Sequence, residues 1–446
     1  MSALLALALG SLAAPAPDDW PAWRGPGATG VAAGPAPTRW SDEENVAWKL
    51  AVAGRGFSTP IVHGGKVFLT TAIPLEELPE PEEAEGGEGG RDLGAFGGGG
   101  PQPKSAFVAL AVDLATGKEL WRRVCREATP HEGYHRTYGS HASCSPVTDG
   151  ERLFVSFGSF GAYCFDLAGK LLWERDLGVA LSMRNSFGEG SAPVLAGDKL
   201  VQVYDHEGDS FVVALDARTG EERWRVARDE RSSWAMPLVT EWDGKTLVVT
   251  SATNRVRAYD AADGALVWEC GGLGANAIPA VVRHGDDVIA MTGYRDPNLL
   301  CIRLGGAGDL TGTDAVRWTT AKGTAYTASP VLHQGLYYSA TDRGFLSCWE
   351  AEGGEPVYVE ERLPRGTQLK ASPIAAGDHL YVATESGDVH LIRLGPVYEH
   401  VATNTLEGQF FVASPVAVGG KLLLRSRTHL FCIGEAAEES RDQRGG

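Results

Sequence analysis

The most regular feature of the chain is a unit in which an apolar run ends at an aspartate, a turn follows, and a polar run ends at a tryptophan. The copy from Phe211 to Arg225, FVVALDARTGEERWR, contains all of these parts. Two runs of strand-forming residues around a Thr-Gly turn predict a β-hairpin. Further copies of the unit run over these segments: Ala111 to Arg122, Cys164 to Glu174 and Ala258 to Glu269, with weaker copies ending at Trp318 and Tyr358. Repetition at a fixed period reflects the whole architecture and therefore outranks any local signal.

A second marker has the same period. Small residues followed by a proline and an apolar pair open each unit, and a Gly/Asp turn and another apolar run follow in most copies. The eight prolines are Pro60, Pro146, Pro193, Pro237, Pro279, Pro330, Pro373 and Pro415. Each unit thus contains four short strands, and a period of about 40–45 residues with four strands is typical of propeller blades.

The chain is therefore predicted to be an all-β, eight-bladed β-propeller of four-stranded blades, formed by residues 45–434. Asn45 to Val52 resembles a fourth strand with no blade before it, whereas Pro415 to Gly434 supplies only three strands. We expect the strand of Trp48 to complete the last blade. The two ends of the chain would then close the ring and remove the open sheet edges.

The segments outside the repeats have different compositions. Residues 1–16, MSALLALALGSLAAPA, resemble a secretory signal, which predicts export to the periplasm or cell surface. Residues 17–44 are rich in Pro, Gly and Trp and are predicted to form an irregular arm over the propeller. Residues 73–104, rich in Glu, Pro and Gly, are expected to be a disordered insertion in blade 1, and 435–446 a polar tail.

Composition narrows the possible partners. The formal net charge is −17 and we find no basic stripe, which argues against a nucleic-acid or anionic-lipid partner. No apolar run reaches the ~18 residues that a membrane span requires. Four of the seven cysteines, Cys164, Cys301, Cys348 and Cys432, occupy the repeat position that holds Ala214 and Ala258 elsewhere. We interpret them as small core residues in separate blades and expect no disulfides.

The repeat sequences AVDLATGKELW, VVALDARTGEERW and VRAYDAADGALVW resemble those of pyrroloquinoline-quinone (PQQ) propellers. This superfamily includes quinoprotein alcohol and glucose dehydrogenases and the outer-membrane assembly component BamB. The opening WPAWRGPGATGVA and the following WSDEENVAWKLAVAGRGFSTPIV resemble exported PQQ-like propeller proteins of planctomycete-type bacteria. The resemblance covers nearly the whole chain after residue 16. It implies the fold more than an activity, because the repeated residues are structural.

The enzymes of that superfamily use a vicinal disulfide against the quinone, a stacking Trp, a Ca²⁺ held by Glu, Asn and Asp, and an Asp base. This chain has no adjacent Cys pair and no CxxCH haem motif. The resemblance therefore implies an exported, non-catalytic binding or scaffold protein that interacts with other proteins as BamB does, with no cofactor expected. BamB's lipid-anchoring Cys is also missing. The alternatives are a quinoprotein dehydrogenase, which would need PQQ and calcium, and a propeller that binds a small ligand or carbohydrate.

A binding site is expected where the segments entering the innermost strands converge on one mouth of the channel. The candidate side chains at these positions are Arg55, His141, Arg184, Glu189, Trp234, Asn276, Tyr326 and Lys370. They could bind a small polar or anionic ligand, with Arg55 and Lys370 as charge partners and Trp234 as a stacking wall. Alternatively, the polar groups satisfy one another around a water-filled channel.

The stretch from His131 to His141 also contains Glu132 and His135, which suggests a metal site. However, Gly133 and Gly139 lie within it and a strand follows, so we expect a loop packed at the channel mouth and no metal site. Motifs for serine hydrolases, phosphate-binding loops and zinc proteases are not present in the sequence.

Overall fold

The computed structural model describes residues 19–77 and 100–435. Within these ranges the strands form eight antiparallel sheets, one for each proline-marked unit. First strands of neighbouring sheets contact one another, for example across blades 6, 7 and 8. The sheets are therefore the blades of a ring, with first strands innermost, and the predicted eight-bladed propeller is confirmed.

The first four blades contain strands β2 to β17. Their bounds are, for blade 1, β2 Ile61–His63, β3 Lys66–Pro74, β4 Ser105–Asp113 and β5 Glu119–Ala128; for blade 2, β6 Val147–Thr148, β7 Arg152–Ser156, β8 Ala162–Asp166 and β9 Leu171–Arg175; for blade 3, β10 Val194–Ala196, β11 Lys199–Tyr204, β12 Ser210–Asp216 and β13 Glu222–Arg228; and for blade 4, β14 Leu238–Trp242, β15 Lys245–Ser251, β16 Arg255–Asp260 and β17 Leu266–Gly271.

The remaining blades follow in chain order, except that the first strand of the chain belongs to the last blade. Their bounds are, for blade 5, β18 Val282–His284, β19 Asp287–Thr292, β20 Asn298–Arg303 and β22 Val316–Thr320; for blade 6, β23 Val331–His333, β24 Leu336–Ala340, β25 Phe345–Glu350 and β26 Pro356–Arg362; for blade 7, β27 Ile374–Ala376, β28 His379–Ala383, β29 Asp388–Arg393 and β30 His400–Thr405; and for blade 8, β31 Val416–Val418, β32 Lys421–Arg425, β33 His429–Ile433 and β1 Val46–Ala51.

The ring closes through the N-terminal strand, as predicted. Strand β1 pairs antiparallel with β33, and Trp48 lies opposite Cys432. The fourth strand of blade 8 therefore comes from the start of the chain. Its tryptophan occupies the same position as those of blades 1 to 5.

Each tryptophan of an outer strand lies opposite a small residue of the third strand. Ala111 faces Trp121 and Cys164 faces Trp173. Cys301 likewise faces Trp318. All seven cysteines are free, and all except Cys125 are buried. The cysteines aligned with Ala214 and Ala258 are thus core residues, because only a small side chain leaves room for an indole on the neighbouring strand.

Five of these tryptophans also pack against the turn of the next blade. Nε1 of Trp48 donates to the carbonyl oxygen of Leu114 at 2.8 Å, and a Cβ at Gly117 would lie 2.5 Å from the indole. The same contacts join these further pairs: Trp121 and Gly169, Trp173 and Gly220, Trp224 and Gly264, and Trp318 and Gly354. The Thr-Gly turn of the repeat is therefore a docking surface for the preceding blade.

The arm before β1 runs across the channel. Trp20 forms an antiparallel bridge with Val62 of blade 1, and Val31 a parallel bridge with Ala375 of blade 7. Between them the buried Arg24 donates to the carbonyl oxygens of Pro373 at 2.6 Å and Pro330 at 2.7 Å. The arm thereby joins the inner edges of blades that are distant in sequence.

Two details differ from the sequence prediction. The insertion predicted to start at residue 73 starts later, because Ile73 and Pro74 still pair with Ala106 and Ser105. Its residues 78–99, the signal at 1–16 and the tail from 436 lie outside the described residues. Blade 4 also gains a fifth strand, β21 (Gly308–Asp309), which pairs parallel with β17. The long connection between β20 and β22 supplies it.

Within the described residues, no helix has the length and apolar character needed to cross a membrane.

We expect Gly117→Ala to destabilise the ring closure. Gly117 has φ +70° and touches Trp48, whereas Gly65 in the same blade has φ +73° and no atom within 4 Å of its added Cβ. Both substitutions incur the cost of a left-handed backbone, about 1–2 kcal/mol. Gly117→Ala should cost about 1–3 kcal/mol more, because the methyl group displaces the indole. Denaturant unfolding of both variants measures this difference, and equal losses would contradict the docking role.

Candidate functional site

A large cavity lies in the channel at the end where chain segments enter the first strands. Its volume is about 510 Å³, within the range of small-molecule sites. Thr59, Ser145 and Ser372, which each precede a proline of an innermost strand, line it. Trp23 of the arm lines it as well, and its Nε1 donates to Ser414 Oγ at 3.3 Å. The arm therefore contributes part of the wall. We call this space the mouth cavity.

Four of the eight predicted site residues line the mouth cavity. Glu189, Trp234, Tyr326 and Lys370 come from the segments that enter blades 3, 4, 6 and 7. The structure therefore brings together an acid, a cation and two aromatic rings from parts of the chain that are distant in sequence.

The other four predicted residues are not among the side chains that line it. Arg55 donates to backbone carbonyls of the loop before blade 2, including Gly139 O at 2.9 Å. Asn276 is buried and donates to the Tyr326 hydroxyl at 3.2 Å. His141 lies in a small adjoining pocket with Glu132, and burial lowers its pKa to about 4. Arg184 lies in a short 3₁₀ turn, Arg184–Ser186.

The histidine-rich stretch before blade 2 is a loop. The ring of His131 binds the Leu181 carbonyl through Nε2 at 2.8 Å. His135 Nδ1 accepts from the backbone N–H of Thr137 at 3.2 Å, and Glu132 accepts from Met183 N at 2.8 Å. No group of three His, Cys, Asp or Glu residues in ranges 19–77 and 100–435 is arranged to hold a metal. These side chains instead fix the loop beside the mouth cavity.

Lys370 belongs to a polar cluster on the cavity wall. Its ammonium lies 3.0 Å from Asp342 Oδ2 and 3.5 Å from Glu385 Oε1. The hydroxyl of Tyr138 donates to Glu385 Oε2 at 3.1 Å, and the Lys370 ammonium lies 4.6 Å from the centroid of that tyrosine ring. Burial lowers the pKa of Lys370, but its carboxylate partners outweigh this effect, so the net shift is upward. The lysine is therefore charged and already paired.

Glu189, on the opposite side of the mouth cavity, lies in a different environment from Lys370. Its two oxygens accept from the backbone N–H and the hydroxyl of Ser159, both at 2.7 Å. Burial nevertheless raises its pKa to about 7, because no cation contacts the carboxylate closely enough to offset desolvation. Near neutral pH this group exists in both protonation states.

Aromatic side chains form much of the remaining wall. Tyr326 stacks on Tyr294 with ring centroids 5.1 Å apart. The indole of Trp234 is oriented by a hydrogen bond from Nε1 to Gly188 O at 2.7 Å. Phe187 and Tyr138 line the cavity as well. This lining suits a ligand with apolar or cationic surface, because aromatic rings offer both dispersion contacts and negatively polarised faces.

Several site residues were missed from the sequence. Asp342, Glu385 and Tyr294 lie in hairpins between the second and third strands of blades 6, 7 and 5. In an antiparallel blade these hairpins lie at the same end as the segment entering the first strand. Strand alternation could therefore have found them. No pattern in the sequence indicated Trp23, because the arm contains no repeat.

Comparisons with known proteins agree with this fold. The family whose model matches is described as outer membrane protein assembly factor BamB, over residues 105–357 and 306–395, more than half of the chain. BamB from Moraxella catarrhalis is similar in structure, with TM-score 0.52, 13% identity, and coverage of 74% of this chain and 93% of that chain.

Two further solved structures are similar at comparable identity. The quinohemoprotein alcohol dehydrogenase from Comamonas testosteroni has TM-score 0.62 and 11% identity, covering 97% of this chain and 83% of that chain. The computationally designed Ika8 protein has TM-score 0.52 and 11% identity, covering 74% and 92% respectively. Such identities show the fold alone. No curated protein sequence matches the chain.

The raised pKa of Glu189 predicts how stability depends on pH. A carboxyl group whose pKa is about 7 in the folded protein and about 4.5 when unfolded stabilises the fold fully below pH 4.5, and this contribution is lost as pH rises through 7. The free energy of unfolding of the wild type, minus that of Glu189→Gln, should fall by about 2–3 kcal/mol between pH 5 and 8. Subtracting one stability curve from the other cancels the contribution of Glu230, whose pKa is also raised to about 7. Parallel stability curves for the two proteins would refute the assignment.

Proposed function

We propose that the chain, which belongs to the family described as outer membrane protein assembly factor BamB, is an exported binding protein without catalytic activity. Its ligand, a small molecule or a side chain of a partner protein, would enter the mouth cavity. The BamB description names a role in assembly, which is a role in protein interaction. We propose that this chain also interacts with other proteins and that it is exported.

The observation that carries this proposal is the mouth cavity itself. A ring whose central residues only satisfied one another would leave narrow, water-sized gaps. Instead about 510 Å³ of space is bounded by Trp23, Trp234 and Tyr326, with the polar groups gathered at Lys370 and Glu189. Binding sites typically combine a largely apolar wall with a few polar groups in this way.

The residues of the mouth cavity do not fit a calcium–quinone site. No two cysteines are adjacent in the sequence, so the disulfide expected against a quinone cannot form. Asp342 is already engaged at both oxygens, with Lys370 at 3.0 Å and with the Thr327 hydroxyl at 3.0 Å. Asn276 donates to Tyr326 rather than presenting an amide to the cavity. We therefore assign no chemical step to a quinone, and the similarity to dehydrogenases extends to the propeller alone.

A thermal-shift panel tests the proposal, with Val412→Trp as the key variant. Val412 lines the mouth cavity, whereas Val401 is exposed on the outer strand of blade 7. The panel contains alkyl and aromatic amines, glycosides, aromatic acids, a short peptide library, and PQQ with Ca²⁺. We expect at least one non-quinone class to raise Tm by several degrees in the wild type and in Val401→Trp, because binding stabilises the folded state.

In Val412→Trp the same ligand should shift Tm much less, because the indole occupies its space. A shift that persists in Val412→Trp would place the ligand elsewhere. A shift with PQQ and Ca²⁺, accompanied by dye reduction with an alcohol, would instead establish the dehydrogenase.

A further inference from the structure

The charge on the wall of the mouth cavity is unbalanced. Among its described lining residues, the Asp, Glu, Lys and Arg side chains are Glu189, Asp342 and Lys370. Behind the wall, Glu385 shares the Lys370 ammonium with Asp342. One ammonium therefore faces two carboxylates, and a negative charge remains before Glu189 is counted.

Two arginines beside the mouth, Arg55 and Arg427, are already engaged elsewhere. Arg55 donates to Gly139 O at 2.9 Å and lies over the Tyr134 ring at 5.0 Å. Arg427 donates to Thr137 O at 2.9 Å and lies 3.9 Å from the centroid of the Phe410 ring. Both guanidinium groups hold the loop before blade 2 and are not among the groups that line the cavity. The anionic ligand expected from Arg55 and Lys370 would thus find its cations already engaged.

The aromatic wall adds a second attraction for positive charge. The faces of Trp234, Tyr326 and Tyr294 carry the negative lobe of the ring quadrupole, which attracts ammonium groups within about 6 Å. The protein already uses this interaction near the cavity, because the Lys370 ammonium lies 4.6 Å from the centroid of the Tyr138 ring and the Arg295 guanidinium lies 5.5 Å from that of Tyr294. A ligand cation could make the same contact with the rings of Trp234 and Tyr326.

We propose that the mouth cavity binds an organic cation, with an alkylammonium group held by the aromatic wall and by the excess carboxylate charge. This inference rests on the proposed binding function and names its ligand class. The formal net charge of −17 would also favour approach of a cation through long-range attraction. An anion, by contrast, would have to displace Asp342 or Glu385 from Lys370.

Three probes of similar shape and different charge test the inference: choline, 3,3-dimethyl-1-butanol and 3,3-dimethylbutanoate. Calorimetric titration of the full chain at pH 8 and low ionic strength should show choline binding at least ten-fold tighter than the alcohol, with the carboxylate weakest. Equal affinity for choline and the alcohol would leave the binding function standing and overturn the cation preference. Tightest binding of the carboxylate, or no binding of choline at millimolar concentration, would overturn it as well, while the panel with Val412→Trp decides the binding function separately.

Two substitutions in the polar cluster should change affinity in opposite directions. Lys370→Met removes the paired ammonium and should tighten choline binding about five-fold, whereas Glu385→Gln neutralises a carboxylate and should weaken it about five-fold. For 3,3-dimethylbutanoate, Lys370→Met should weaken binding and Glu385→Gln should tighten it. Glu352→Gln serves as the control, because Glu352 is 83% exposed and lies outside the cavity lining.

A loss of choline binding in Lys370→Met that is folded by circular dichroism would contradict the inference, since it would make the lysine a ligand contact. If that variant does not fold, Glu385→Gln decides alone, and unchanged choline affinity in it would refute the role of the excess charge.

Discussion

The docking of an indole onto the glycine turn of the next blade is the contact on which the ring depends. It sets how close two blades can approach, because Trp48 would meet any side chain placed at Gly117. The first and last blades use the same contact, so closure requires no special device. Blade 6 has Tyr358 in place of this tryptophan, and blade 7 has Ala402, which stands opposite Leu391. There the arm supplies Trp40, which is buried in the hydrophobic cluster that contains Leu391. An irregular segment thus adds a buried indole to the core beside the blade that has only an alanine at this position.

A second set of contacts explains the residues that precede the prolines. The backbone N–H of Thr59 donates to Ser145 Oγ at 2.9 Å, and that of Ser414 donates to Thr59 Oγ1 at 3.0 Å. Similar bonds continue through Ser372 and Ser329 to Ala280 of blade 5. Each hydroxyl satisfies an amide of the preceding blade, which a buried channel wall requires. Blades 3 to 5 carry Ala192, Met236 and Ile278 there instead, and their side of the wall includes Glu189 and Trp234.

Periodicity predicted the blade number and the closure because a proline opens every blade, while a tryptophan and a glycine turn recur at the same positions in most of them. It predicted the site less well. Whether a residue before a first strand faces the channel depends on contacts between loops of different blades, which a repeat pattern does not contain. Arg55 turns onto the carbonyl of Gly139, and Lys370 is paired by hairpins of blades 6 and 7. The role of a charged residue therefore cannot be predicted from its sequence position until its partners in other blades are known.

The arm decides what kind of site the ring can offer. Eight blades alone surround an open channel, and this chain brings Trp20, Trp23 and Val31 into it. Arg24 ties the arm to blades 6 and 7 through carbonyl oxygens, and burial without a carboxylate partner lowers its pKa to about 9. Burying such a group costs stability, but the two hydrogen bonds fix the position of the arm. Its contribution is a wall of the mouth cavity. Two propellers with the same blades can therefore differ in function through a segment that belongs to no blade.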